Sequence, residues 1–126
     1  MKWFLFFCSI VLNILCLLST IMLYKLYIGR SNPENKLSDS EMEQFFKRFQ
    51  EIYKKYGVKV IGAWENLEDP LENYLITAYN DATHYEETVA KMRMNETYQK
   101  FTEEGKASRE IVKVVTMKTL PGSPME

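Results

Sequence analysis

The sequence predicts an α+β domain: a four-stranded antiparallel sheet with two helices on one face, in the order β-α-β-β-α-β. Three observations lead there. Four stretches alternate with the period of two expected of strands, two others carry apolar residues three and four positions apart, and the two kinds follow one another in that order. A chain of 126 residues that gives up its apolar N-terminal segment keeps roughly 100 for folding, enough for one core and not for two.

The first strand is the least simple element. From Trp3 to Tyr24 no side chain is charged. At about 1.5 Å per residue that run makes a helix of roughly 33 Å, which matches a hydrocarbon core of about 30 Å. The end of the run, Met22 to Ile28, also alternates as a strand, with Leu23, Lys25 and Tyr27 on one face and Tyr24, Leu26 and Ile28 on the other. Residues 1–21 are therefore expected to be a membrane anchor, with translation from Met22 and a cleaved signal as the alternatives. No small-x-small site follows the run, which argues against the signal. Lys25, Arg30 and Lys36 follow the span, which leans toward a single-pass protein with a cytoplasmic domain; a start at Met22 gives a soluble cytoplasmic protein instead.

Ser31 to Lys36 is polar, holds a proline and reads as a turn. Ser38 with Glu41 then forms a capping box, and Leu37 with Met42 a hydrophobic staple. Met42, Phe45, Phe46, Phe49, Ile52, Tyr53 and Tyr56 give one broad apolar face, which reads as core, and Gly57 stops the helix. Val58 to Asn66 alternates as a strand, with Val58, Val60, Gly62 and Trp64 on one side and Lys59, Ile61, Ala63 and Glu65 on the other. Leu67 to Pro70 is a turn, and Tyr74 to Tyr79 returns as a strand that is apolar on both faces.

Asp81 or Thr83 caps a second helix with Tyr85, Val89 and Met92 inward. Met94 to Thr97 interrupts that helix, with Asn95 as a new cap, and Tyr98 and Phe101 continue the stripe to Gly105. Ser108 to Leu120 alternates as the last strand before Pro121 starts the tail, residues 121–126. The order is that of the ferredoxin-like fold. Helices cover only one face of such a sheet, so apolar residues on both faces of its strands call for a second copy against the other.

All 17 acidic residues lie after Arg30, so the folded part is net acidic, and its charges alternate in sign along the helices. That excludes a nucleic-acid partner. Both cysteines, Cys8 and Cys16, lie in the apolar segment, so the domain has no thiol for a disulfide, a zinc site or a nucleophile. Glu65, Glu68, Asp69 and Glu72 gather around one turn at spacings that match no calcium loop, and no metal is expected. The chain has no P-loop, no GxGxxG, no paired Ser and His and no CxxC.

The runs from Tyr56 to Glu65, Tyr74 to His84 and Met94 to Phe101 together resemble the NIPSNAP-like domains of the dimeric α/β-barrel superfamily. The resemblance covers about residues 22–120, in a Gly-x-Trp strand after the first helix, an aromatic strand entering an Asp-Ala-x-His helix start, and a broken second helix. It implies a homodimer whose sheets face each other, and a space between sheet and helices that takes a small apolar molecule, with Trp64, Tyr74, Tyr79 and Tyr98 as candidate lining; a partner protein is the other candidate ligand. Members of the superfamily also include monooxygenases without a cofactor and haem-degrading enzymes. On that alternative His84, the only histidine, is the candidate base, placed in the first turn of a helix where the dipole favours neutral imidazole. Haem-degrading relatives combine an Asn, a Trp and a haem-ligating His; this chain offers Trp64 and His84 but no Asn on its first strand, which argues against haem. No cofactor is otherwise expected.

Overall fold

The computed structural model describes residues 21–124. The order is β1 (Leu23–Ser31), α1 (Asp39–Lys54), β2 (Lys59–Glu65), β3 (Glu72–Tyr79), α2 (Ala82–Arg93), α3 (Glu96–Gly105) and β4 (Arg109–Met117). The strands form one antiparallel sheet in the order β2-β3-β1-β4. This is the ferredoxin-like α+β arrangement, with the second helical stretch divided into α2 and α3 at the interruption expected around Asn95. The stretch from Met22, which the sequence reads as both helix end and strand, belongs to the central strand β1 from Leu23 onward. The expected membrane segment lies outside the described residues except for Ile21, and among the described residues no helix is long and apolar enough to cross a membrane.

Local chemistry accounts for the element boundaries. The Ser38 hydroxyl accepts from the Glu41 N–H at 3.2 Å, and the Glu41 carboxylate accepts from the Ser38 N–H at 3.2 Å, closing the capping box. Accepting these bonds holds the Glu41 carboxyl below its ordinary pKa. Gly57 takes φ of +70° just past the end of α1, in the left-handed region that a Cβ disfavours. Asp81 caps α2 by accepting from the His84 N–H at 2.7 Å, and Asn95 caps α3 by accepting from the Tyr98 N–H at 3.0 Å.

Residues paired across an antiparallel ladder share a face. Leu23 pairs with Tyr79, Lys25 with Thr77 and Tyr27 with Leu75. This set faces the helices. Its Leu75 and Tyr79 enter a core with Phe49, Ile52, Tyr53, Val58, Met92 and Phe101. Aromatic rings dominate that core: Phe49 and Tyr53 have centroids 4.2 Å apart, and Phe45 stacks on Phe101 at 4.6 Å.

The opposite face carries Tyr24, Leu26 and Ile28 of β1, with Tyr74, Ile76 and Ala78 of β3 paired to them. Val115 and Met117 extend this face on β4. One expectation is corrected here. The β2–β3 register shifts between Val60 and Gly62, so Ile61 is an extra residue. Val60 remains on the helix side opposite Thr77, but Gly62 pairs with Ile76 and Trp64 with Tyr74, on the far face. The uninterrupted Val58-Val60-Gly62-Trp64 row therefore does not exist. A second bulge in the β1–β4 ladder, between Ile28 and Gly29, leaves Val112 without a Cα partner and 61% exposed.

Candidate functional site

A cavity of about 530 Å³ lies between the sheet and the helices, within the size range of small-molecule sites. Its sheet side is made by Tyr27 of β1, Leu75 of β3, and Arg109 and Ile111 of β4. Phe45, Phe49 and Tyr53 close it from α1, and Tyr98, Phe101 and Thr102 from α3. The helical spacing explains the convergence, because residues four apart on α1 and three or four apart on α3 share one face. Tyr98 is fixed by the α3 cap: Asn95 accepts from its N–H and also donates to the Tyr56 hydroxyl at 2.6 Å, tying α3 to the end of α1.

The cavity is aromatic with a few polar tips. Burial pushes the Tyr27 phenol far above its ordinary pKa of 10.0, with Tyr79 beside it adding to the effect. Burial does the same for Tyr53, assisted by Tyr98. Both remain neutral hydroxyls at any physiological pH. Arg109 is the charged group on the sheet side, and its guanidinium lies 4.6 Å from the centroid of the Phe45 ring. Desolvation lowers its pKa, partly offset by Tyr53. Among the described residues no carboxylate forms an ion pair with Arg109; the ion pairs that form belong to Arg30, Lys36, Lys47, Arg48 and Lys106. Exposed Lys106 and Glu110 stand at the rim.

The four aromatic residues singled out in the sequence fall in three places. Tyr98 lines the cavity. Tyr79 is 2% exposed, packed beneath α2 with its ring 4.9 Å from that of Tyr85, and belongs to the core. Trp64 and Tyr74 lie across the sheet, Trp64 because of the bulge at Ile61 and Tyr74 because Leu75, Thr77 and Tyr79 take the helix side. The Tyr74 hydroxyl donates to Glu72 at 2.5 Å and accepts from Asn66 at 3.0 Å, bracing the β2–β3 turn.

His84 is engaged at both ring nitrogens. Nδ1 accepts from the Asn80 N–H at 3.0 Å, so the proton sits on Nε2, which donates to the Tyr56 carbonyl at 2.7 Å. The imidazole thus clasps the end of α1 to the start of α2, beside Gly57 and outside the cavity lining. With His84 so engaged and Trp64 on the opposite face of the sheet, the residues present do not fit haem. Among the described residues no group of His, Cys, Asp and Glu side chains is arranged to hold a metal ion.

Sequence reasoning passed over Tyr27, Phe45 and Arg109. Tyr27 and Phe45 were legible only as core, and a lone arginine at the start of an edge strand carries no mark of facing inward.

No protein-family model and no curated sequence matches this chain. Solved structures do. A NIPSNAP family protein of Agrobacterium tumefaciens superposes with a TM-score of 0.64 at 18% identity, over 84% of this chain and 92% of the other. An uncharacterized NIPSNAP-like domain protein of Burkholderia xenovorans gives 0.62 at 18% identity, over 83% and 89%. SnoaB, a cofactor-independent oxygenase of Streptomyces nogalater, gives 0.63 at 10% identity, over 83% and 98%. At these identities the similarity is one of fold, and the chain has the ferredoxin-like fold that these NIPSNAP and oxygenase structures share.

Proposed function

We propose that this chain is a non-catalytic, homodimeric NIPSNAP-like module that binds a small apolar molecule between its sheet and its helices. The aromatic cavity carries this reading, because concave, mostly apolar clefts of this size with a few polar groups are where proteins bind small molecules. The far face of the sheet supports the homodimer. Leu26, Ile28, Ile76, Val115 and Met117 make a contiguous apolar surface there, and Trp64 at its border is 49% exposed. Such a surface seldom stays in water, and pairing it with itself about a two-fold axis is the simplest cover.

The second reading, an oxygenase without a cofactor, is favoured by the similarity to SnoaB. It needs a free base at the cavity, whereas both nitrogens of His84 are committed to backbone groups. Titration with 2-naphthamide, a neutral aromatic probe, followed by tyrosine and tryptophan fluorescence, tests the binding reading; saturable binding is expected. Polycyclic phenols added while oxygen is monitored test the alternative. Oxygen uptake that disappears in His84→Ala without loss of fold would replace the module with an enzyme.

A further inference from the structure

We propose that the molecule bound in this cavity carries one anionic group, a carboxylate on an apolar, ring-containing body, and that Arg109 receives it. The inference rests on the cavity being a binding site and adds the chemistry of its ligand.

Arg109 is a cation placed where an apolar side chain would otherwise stand. It follows Ser108 at the start of β4, pairs with Ser31 across the ladder, and so shares the helix-facing side of the sheet with Ile111. Its guanidinium rests on the face of Phe45 and lies near Tyr53. Stacking on a ring occupies the guanidinium plane and leaves the N–H edge able to form the two parallel hydrogen bonds that a carboxylate accepts. Arg109 is half-buried, and a cation partly withdrawn from water without a counter-ion is held at a cost that a bound anion would offset. Among the described residues each acidic residue in an ion pair is taken by another base: Asp69 by Arg30, Glu65 by Lys36, Glu43 by Lys47, Glu104 by Arg48 and Glu103 by Lys106. Glu110, next in sequence to Arg109, forms none of these pairs and is exposed at the rim.

Two further features fit the same ligand. The neutral phenols of Tyr27 and Tyr53 donate hydrogen bonds and add no negative charge, and the one carboxylate among the lining residues, that of Glu110, is exposed at the rim. A second cleft, lined by Arg30, Ser31, Asn32, Lys106 and Glu110, also reaches Arg109 from the outside, so the guanidinium is open to the polar end of a ligand from that side.

The test compares 2-naphthoate with 2-naphthamide, which differ in charge and hardly in shape, on the full chain by calorimetry or fluorescence. The wild type is expected to bind naphthoate at least about tenfold more tightly, the factor that a charge-assisted hydrogen bond supports. Arg109→Met should erase the preference between the two probes, and Arg109→Lys should keep part of it. Lys91→Met, which removes the same charge from an exposed position on α2, should leave the preference intact. Arg109→Gln serves if the methionine variant does not fold. Equal binding of the two probes to the wild type, or a preference that survives in Arg109→Met or Arg109→Gln, would overturn the charge pairing while the cavity reading stands. Failure of both probes to bind would remove the cavity reading and this inference with it.

Discussion

Replacing His84 with alanine removes two hydrogen bonds, one to the Tyr56 carbonyl at 2.7 Å that joins the end of α1 to the start of α2 and one from the Asn80 N–H at 3.0 Å that closes the turn from β3 into α2. Each bond contributes about 1 kcal/mol net. Asn80 is exposed, so its N–H regains water in the variant; Tyr56 is half-buried and its carbonyl is less readily solvated. The imidazole edge also leaves the Tyr79 ring, whose centroid is 5.8 Å away. The expected loss is about 2 kcal/mol, a large fraction of the 5 to 15 kcal/mol that typical domains possess. For a domain of about 100 residues this lowers Tm by about 8 to 16 °C. His84→Asn, whose amide oxygen can reach toward the position of Nδ1, should recover about half of the loss. Thermal and urea unfolding measure the stability, and naphthamide titration of the folded variant should give wild-type affinity. An unchanged Tm together with lost binding or lost oxygen uptake would refute the clasp and return His84 to chemistry.

Three other outcomes are expected. The Tyr27 and Tyr53 phenols have folded pKa values raised by burial above the ordinary 10.0, so they stabilise the fold fully below pH 10 and their contribution is lost as pH rises above that value; urea midpoints should fall from pH 10 upward, and Tyr53→Phe should flatten that fall. Ile76→Glu places a carboxylate on the far face of the sheet, opposite Leu26 and Gly62, and in a two-fold pair it buries two of them; light scattering should show a monomer with unchanged far-ultraviolet circular dichroism, and an intact dimer would move the interface elsewhere. Gly57→Ala forces a Cβ into φ of +70° and should cost about 1 kcal/mol in urea unfolding.

Much of the frame was legible because its signals are local. Ser38 with Glu41, Gly57, Asp81 and Asn95 each act within a few residues of the chain; the structure chooses Asp81 over Thr83 as the cap of α2 and bears out the others as boundary signals. The faces of β1 were legible too, since Leu23, Lys25 and Tyr27 alternate without interruption. The site was harder because it depends on which side of the sheet the helices cover. One extra residue at Ile61 reverses the side of everything after it on β2, and with apolar residues on both faces the sequence pattern conceals the reversal. Gly62 was the one hint, and it is also where the Trp64 ring lies: an added Cβ would come within 2.8 Å of the indole. Tyr74 was assigned to the wrong face for the same reason, as β3 is apolar on both sides. His84 was placed correctly in the first turn of its helix, but its partner Tyr56 lies 28 residues away, beyond any local pattern. Arg109 faces inward only because β4 pairs with β1 in the observed register.

The space between sheet and helices is the proposed place where this chain meets its ligand. Side-chain and amide NMR signals of the labelled protein, followed as 2-naphthamide is added, test that most directly. Shifts concentrated at Tyr27, Phe45, Tyr98 and Phe101 are the expected result. Shifts confined to Trp64, Tyr74 and Ile76 across the sheet, or no shifts at saturating probe, would contradict it.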